Sequence, residues 1–224
     1  MVKKVRKYLK KFIDVLDVTR IGNQEFVIVS NNCWGSDIYP ALRRAYNTPF
    51  VGLFLFPECY IKLLDDFENT LSTEIRFSNE SKYFSYSAAY PVGHTANQIE
   101  IHFLHYNSFE EAQQKWTRRA DRLHSAVAAG VPVFVKFCDR EDATTEHFRK
   151  YHELAFQRKI SMSVDAFSSN NHLCIPKLKS DSDSFVIDGK SLFGRRYQYF
   201  DFAHWIREGE CKQTMMSRLL SLIS

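Results

Sequence analysis

Apolar residues fall along this chain in two patterns, continuous runs and helical stripes, which alternate from end to end. Short runs rich in β-branched side chains are typical of strands buried on both faces of a parallel sheet. Stripes at helical spacing are typical of the helices that cover such a sheet. The alternation therefore predicts an α/β fold of three layers, α/β/α, with a mainly parallel or mixed central sheet.

Both kinds of element have definite positions in the sequence. The runs predict buried strands at residues 26–29, 50–56, 99–106 and 131–137, more exposed strands at 74–77 and 83–89, and a last strand at 185–187. The stripes predict helices at 1–17, 37–44, 57–71, 108–123, 145–159, 200–207 and 212–223. Ser108 and Glu111 have the spacing of a capping box. A polar loop is expected at 177–184, and the even spread of apolar residues predicts one domain over residues 1–224.

The first predicted helix is amphipathic and strongly basic. Its cationic residues are Lys3, Lys4, Arg6, Lys7, Lys10 and Lys11. Its apolar stripe consists of Val5, Leu9, Phe12, Ile13 and Leu16. Two interpretations compete: the stripe packs on the domain and leaves a solvated charged face, or the helix makes peripheral contact with an anionic membrane. Nucleic acid is not an expected partner, because no basic and aromatic pattern recurs elsewhere in the chain.

Composition places the chain among ordinary globular proteins, with 45% hydrophobic residues, 25% charged residues and a net charge of +4. No apolar run approaches the length needed to span a bilayer, and the N-terminus lacks an apolar signal core. We therefore expect a cytoplasmic protein. The five cysteines are scattered without CxxC or His-Cys spacing, which argues against disulfides and against a metal site.

Polar residues follow the first buried strand in the sequence Ser30-Asn31-Asn32-Cys33-Trp34-Gly35. In an open α/β sheet, ligands bind at the carboxyl ends of the strands, where the turns into the helices meet. A cysteine at the start of a helix also has its thiolate favoured, which makes it a stronger nucleophile. The alternative is that Cys33 is a small buried residue that fills space beneath Trp34.

Several segments together resemble a bacterial domain family of unknown function found among exopolysaccharide biosynthesis proteins. They are Ser30 to Gly35 with Tyr39, Asn47 to Leu53, Tyr90-Pro91-Val92, Ile101-His102-Phe103 with His105-Tyr106, Glu110-Glu111-Ala112, Trp116, Arg118-Arg119, and Arg196-Tyr197 with Asp201 and Trp205. The resemblance covers nearly the whole chain. It implies a three-layer α/β domain and an association with cell-surface polysaccharide synthesis.

A second, shorter likeness concerns the turn itself. The Asn-Cys pair is similar to the Gly-Asn-Cys turn of a capsule biosynthesis family proposed to consist of acetyltransferases, with Asn31 here in place of the glycine. This likeness implies acyl transfer through Cys33. An acyl coenzyme A is the corresponding expectation for the donor, and a sugar or lipid-linked sugar for the acceptor.

Residues at three predicted strand ends form the candidate catalytic site. Cys33 is the expected nucleophile, His105 the base with His102 as its alternative, and Asp139 the residue that orients the base. The Asn31 and Asn32 amides are expected oxyanion donors. Each also has a structural interpretation, because histidines at strand ends are often simply hydrogen-bonded and Asp139 has the position of a helix cap.

Further residues are candidates for binding substrate. A phosphate clamp is expected from some of Arg118, Arg119, Arg122, Arg195 and Arg196, because guanidinium groups match phosphate oxygens. Trp34 and Trp116 are candidates for stacking on a sugar, although both fit a core position as well. Asn47 is included because it lies in a matching segment. No dinucleotide or P-loop motif is present, which disfavours nucleotide-dependent redox or NTP chemistry.

Two functions follow as hypotheses. The first is a cysteine-dependent acyltransferase or esterase that acts on a sugar precursor in cell-surface polysaccharide synthesis. The second is a module of the same pathway that binds a glycan or a lipid-linked intermediate without chemistry.

Overall fold

The computed structural model describes residues 2–176 and 184–223, with side chains of the first helix described from Tyr8 onward. The loop predicted at 177–184 lies outside the described residues except for Ser184. The described helices are α1 Val2–Ile21, α2 Ile38–Ala41, α3 Pro57–Asp65, α4 Phe67–Ser72, α5 Phe109–Ala128, α6 Thr145–Glu153, α7 Gly189–Gly194, α8 Arg196–Tyr199, α9 Phe202–Glu208 and α10 Met215–Ser221, with a 3-10 helix at Cys33–Asp37. The described strands are β1 Val27–Ser30, β2 Arg76–Ser78, β3 Val92–His94, β4 Glu100–His102, β5 Val133–Cys138, β6 Arg158–Ser163 and β7 His172–Cys174.

A four-stranded parallel sheet in the order β1-β5-β6-β7 forms the centre of the fold. Successive side chains of a strand point to opposite faces. Along β5, Val135 and Phe137 pack in one apolar layer with α3, α5 and α6, whereas Phe134 and Cys138 pack in the other with α1, α7, α9 and α10. The predicted three-layer α/β/α arrangement is therefore confirmed.

A second sheet is antiparallel, in the order β2-β3-β4, and joins the apolar layer of α3, α5 and α6. The predicted strand at 50–56 is wrong. Its Phe54 pairs with His102 by a single bridge, while the Leu55 amide donates to the Asn31 carbonyl at 2.9 Å. This apolar run is buried because it lies between the two sheets, and β4 consequently belongs to the second sheet rather than the first.

Other elements differ from the prediction for identifiable reasons. Strand β6 was not predicted because its sequence is polar. In the structure its Ser161 and Ser163 side chains hydrogen-bond to histidines instead of facing solvent. The predicted helix at 57–71 is divided into α3 and α4 at Asp66, whose backbone is not helical. Residues 83–89 and 185–187 form no strand.

Helix α1 is longer than predicted and packs on the domain. Ile13 and Ile21 are buried in the core, with Leu16 against them. The Asp17 carboxylate binds Arg196 of α8, which joins the two ends of the chain. Within the described residues, no helix is both long and apolar enough to cross a bilayer.

Candidate functional site

Strands β1 and β5 end side by side, and the polar residues that follow them are in contact. The Asn32 side-chain amide lies 3.1 Å from Cys138 Sγ, and the Asn31 amide donates to the Lys136 carbonyl at 3.3 Å. We call the group Asn31, Asn32, Cys33, Lys136, Cys138 and Asp139 the edge cluster. It lies at the carboxyl edge of the parallel sheet, where this fold class binds ligands.

Asn32 fixes the turn that carries Cys33. Its backbone is extended, and its Oδ1 accepts a hydrogen bond from the Trp34 amide at 3.1 Å, so Asn32 caps the 3-10 helix. Trp34 follows into the core, fully buried, with edge contacts to Phe193 and Trp205. Trp34 therefore supports the turn from below and is not available to stack on a sugar.

Lys136 is the member of the edge cluster that the sequence analysis missed. It lies in an apolar run, and the alternation along β5 directs it to the same face as Phe134 and Cys138. The residue is fully buried. Its ammonium donates to Asn32 Oδ1 at 3.2 Å and to Asn31 Oδ1 at 3.5 Å. No carboxylate in residues 2–176 or 184–223 lies within ion-pair distance of it.

Cys33 is partly buried, and its Sγ contacts the Leu53 carbonyl oxygen at 3.7 Å. Burial raises the pKa of this thiol to about 11, although the charge of Lys136 opposes the shift. The acidic side chains of Asp37, Asp188 and Glu141 raise the pKa further. Burial thus outweighs the effect expected from the helix, and an activated Cys33 thiolate stays a prediction.

Asp139 has partners other than a histidine. Its two carboxylate oxygens accept hydrogen bonds from the backbone amides of Val164 at 2.7 Å and Val186 at 2.9 Å. Burial raises the pKa of this carboxyl, and the two amide donors and the charge of Lys136 oppose the rise. Asp139 thus holds the segments that follow β6 and precede α7 against the edge cluster, and it does not orient His105.

The two candidate bases lie in different surroundings. His102 is fully buried in the second sheet, stacked on Phe54 at 4.6 Å between ring centroids, and its Nε2 lies 3.6 Å from Glu100 Oε2. Burial lowers the pKa of His102 to about 4. His105 is exposed, and its backbone amide donates to the Gly52 carbonyl. Within the described chain, neither ring forms a hydrogen bond to Cys33.

Two of the candidate substrate-binding residues are occupied elsewhere. Arg196 is buried and bound to Asp14 and Asp17, so it cannot clamp a phosphate at the edge cluster. The Asn47 amide donates at 2.8 Å to the Phe26 carbonyl, which precedes β1 and lies at the opposite end of that strand.

The remaining candidates lie on α5, apart from Arg195, which lies between α7 and α8. Arg119 is buried and donates to the Tyr106 hydroxyl at 2.8 Å, whereas Arg118 is exposed. Trp116 packs in the core against Phe50 and Phe103. No guanidinium clamp is therefore assembled at the edge cluster from the described residues.

Comparison with known proteins gives this architecture a family. The model of the family described as Domain of unknown function (DUF1919) matches residues 4–207. This chain belongs to that family. An uncharacterised protein of Haemophilus influenzae is 29% identical over 206 residues, which cover 90% of this chain and 93% of the relative. The DUF1919 match includes both sheets and the whole edge cluster.

Glu141 of this DUF1919 chain is a further residue that acts on the edge cluster. Glu141 and Asp142 both have left-handed backbones, with φ of 62° and 60°, directly after the end of β5. Such conformations cost free energy in residues other than glycine and concentrate at functional sites. Glu141 influences Cys33 electrostatically, and burial raises the pKa of its own carboxyl. Its position just after a predicted strand end was the available sequence signal.

Among the described residues, no group of three or more His, Cys, Asp or Glu side chains is arranged to hold a metal ion.

Proposed function

We propose that the protein serves the assembly of cell-surface polysaccharide by binding a sugar precursor at the edge cluster. The resemblance to exopolysaccharide biosynthesis proteins supports the pathway. The observation that carries the site is the contact between Asn32 and Cys138, which joins two strand ends into one polar group at the carboxyl edge. Binding without chemistry is the form of this function that the described contacts favour, because burial raises the pKa of the Cys33 thiol and neither candidate histidine forms a hydrogen bond to it in the described chain.

Thermal-shift measurements with sugar nucleotides, lipid-linked sugar analogues and oligosaccharides test this proposal. A ligand present at about 100 times its Kd stabilises the folded protein by about 2.7 kcal/mol. Cys33→Phe fills the edge cluster with a bulky side chain and should abolish that stabilisation. Cys174→Phe, at an exposed cysteine of β7, is the matched control and should retain it. Equal stabilisation of both variants would move the binding site away from the edge cluster.

Acyl transfer is the second candidate, favoured by the closeness of Lys136 to Cys33. In this scheme Cys33 Sγ forms a thioester with the acyl carbon, and the thiol of an acyl coenzyme A leaves with the proton that Cys33 gives up. A sugar hydroxyl then attacks the thioester and returns a proton to Cys33. The charge of Lys136 lowers the pKa of the thiol and would favour the first step. Intact mass spectrometry should detect an acyl adduct on the protein after mixing with acetyl coenzyme A, absent from Cys33→Ser.

We also propose that the protein works in the cytoplasm, in peripheral contact with the inner face of the membrane. Tyr8, Phe12 and Val15 form an exposed apolar stripe on α1, distinct from the face that packs on the domain. Lys10 and Lys11 lie between Tyr8 and Phe12, in a segment rich in basic residues. An amphipathic helix with this combination is suited to the surface of an anionic bilayer.

A further inference from the structure

The ammonium of Lys136 is buried and forms no ion pair within residues 2–176 and 184–223, although its charge reaches the buried carboxyl of Asp139. Transfer of a charge from water to a protein interior is costly unless an opposite charge or a set of hydrogen bonds offsets the loss of hydration. Lys136 is fully buried, and its acceptors in the described chain are the neutral side-chain oxygens of Asn31 and Asn32. Arg196, which is also buried, instead binds the carboxylates of Asp14 and Asp17. Lys136 and Arg196 are therefore buried with different kinds of partner, and the third buried cation, Arg119, donates to the neutral Tyr106 hydroxyl.

The acidic residues near Lys136 have partners of their own. Asp37 forms an ion pair with Lys10 at 3.9 Å, and both oxygens of Asp139 accept backbone amides. Asp188 caps α7 by accepting the Ser191 amide at 3.0 Å. The charge of Arg140 acts on both Asp188 and Glu141 and favours their ionised forms. These partners reduce the repulsion that the four carboxylates would exert on an incoming anion.

The edge cluster reaches the surface mainly at Cys33. Asn32 and Asp139 reach solvent with 6% and 7% of their area, and Cys33 is more exposed than either. Lys136 is therefore buried within electrostatic reach of Cys33, which a ligand at the surface would touch. At that depth little water screens its charge, so a bound anion would feel it strongly.

From these observations we infer that the edge cluster binds an oxyanionic group, a phosphate or a carboxylate, and that Lys136 supplies the counter-charge. The inference rests on the proposed function for the location of the site and adds the chemical class that the site recognises. Asn31 and Asn32 hold the ammonium in place until the anion arrives. Lys136 thereby has the anion-binding role that the sequence analysis assigned to arginines.

Titration with inorganic phosphate, pyrophosphate and acetate tests this directly, with melting temperature measured at constant ionic strength and chloride as the reference anion. We expect saturable stabilisation by at least one oxyanion and none by chloride. The same anion should protect Cys33 from alkylation by iodoacetamide, because it would occupy the surface beside the thiol. Protection of Cys33 locates the site, and a linear, non-saturating effect shared with chloride would overturn the inference.

Lys136→Met keeps much of the length of the side chain and removes the charge. We expect it to weaken oxyanion binding by roughly 30-fold or more, the loss found for one partner of a buried charged pair. We also expect a higher melting temperature without ligand, because a buried ammonium that forms no ion pair with the described residues is costly. Lys159→Met is the matched control, since this β6 lysine donates to the His152 and Leu154 carbonyls and lies away from the edge cluster. Unchanged oxyanion binding by Lys136→Met would overturn the inference.

Asn31→Asp provides a second variant that does not depend on the folding of Lys136→Met. It places a carboxylate beside the ammonium and should abolish oxyanion binding by supplying an internal counter-charge. Retained binding in Asn31→Asp would contradict the inference. Failure of the proposed function is distinguishable: if phosphate binds in a Lys136-dependent way and no sugar derivative does, the inference stands and the polysaccharide proposal fails. If a sugar precursor binds Lys136→Met and wild type equally well, the inference about Lys136 fails and the polysaccharide proposal stands.

Discussion

The Arg196 guanidinium binds the Asp17 carboxylate through two hydrogen bonds, at 3.0 and 2.7 Å, and thereby holds α1 against α8. Both residues are almost completely buried. Arg196→Met would leave the Asp17 carboxylate buried without its cation, which costs about 3–5 kcal/mol. We expect that loss in the free energy of unfolding, measured by urea denaturation.

The control for this prediction is Arg149→Met. Arg149 also forms two ion pairs, with Glu146 and Glu153, but all three residues are exposed. Exposed ion pairs contribute little, so this variant should unfold close to wild type. The double variant Asp17→Asn with Arg196→Met should recover part of the loss, because no charge is then left without a partner. Equal losses for Arg196→Met and Arg149→Met would contradict the assignment of Arg196 to a structural ion pair.

His102 should make the stability of the protein depend on pH. Burial lowers its pKa to about 4 in the folded state, against an ordinary value of 6.5, so the unfolded chain binds more protons between these values. The contribution to stability is therefore present above pH 6.5 and is lost as the pH falls toward 4. Melting temperatures measured from pH 7.5 to 4 should decrease accordingly, with His152 contributing in the same direction because burial also lowers its pKa to about 4.

The variant His102→Phe distinguishes the contribution of His102 to this pH dependence from that of His152. Both ring nitrogens of His102 lack hydrogen-bond partners in the described structure, and a phenyl ring has nearly the same shape for stacking on Phe54. Glu100 would keep its bonds from Ser81 and from the Lys82 amide. We expect a folded variant with a shallower decrease below pH 6.5, whereas His105→Gln, at an exposed histidine, should follow wild type. A decrease as steep as that of wild type would exclude His102 as its source.

Cys33 should react slowly with iodoacetamide in the absence of ligand. With a pKa of about 11, only about one Cys33 thiol in a thousand is ionised at pH 8. Cys174, which is exposed, should therefore be labelled first, as followed by peptide mass spectrometry. Faster labelling of Cys33 than of Cys174 at pH 7 would instead show that Cys33 is an activated nucleophile. A rate that rises on addition of a candidate substrate would favour acyl transfer over binding alone.

The sequence predicts the position of the edge cluster well and its chemistry poorly. Apolar runs locate β1 and β5, and parallel strands must end at the same edge, so the meeting of Asn32 with Cys138 and Asp139 follows from local pattern. Lys136 was not predicted as a site residue, because a single lysine in an apolar run is usually treated as an exception to the strand pattern. It faces the same layer as Phe134 and Cys138, and that alternation was the available clue.

Interactions between distant segments explain the other differences. The partners of Arg196 lie on α1, at the other end of the chain, and no local pattern connects them. The run at 50–56 has the apolar content of a buried strand, but it is buried between two sheets and pairs with each only briefly. His102 belongs to the second sheet for that reason, where its ring stacks on Phe54.

Membrane contact by α1 can be tested by sedimentation with vesicles at two ionic strengths. Tyr8 and Phe12 are 71% and 52% exposed, and the basic residues of α1 should add attraction of about 1 kcal/mol for each well-placed charge. We expect binding to anionic but not neutral vesicles, weakened by salt and by the double variant Tyr8→Ser with Phe12→Ser. Met215→Ser, at an exposed methionine of α10, should bind like wild type. Equal binding by all variants would assign the attraction to charge alone or to another surface.

Gly189 should be essential for the position of the Cys33 turn. A Cβ atom at this residue would lie 2.4 Å from the Trp34 backbone nitrogen and 2.9 Å from its Cα, because the start of α7 packs directly on the 3-10 helix. Gly194, at the other end of α7, has open space at the corresponding position. Gly189→Ala must therefore push the two helices apart, at a cost of about 1–3 kcal/mol, whereas Gly194→Ala should be tolerated. Because the displacement would open the edge cluster, Gly189→Ala should also increase the alkylation rate of Cys33 at pH 8. A variant that is destabilised without any change in Cys33 labelling would show that α7 supports the core but does not cover the thiol.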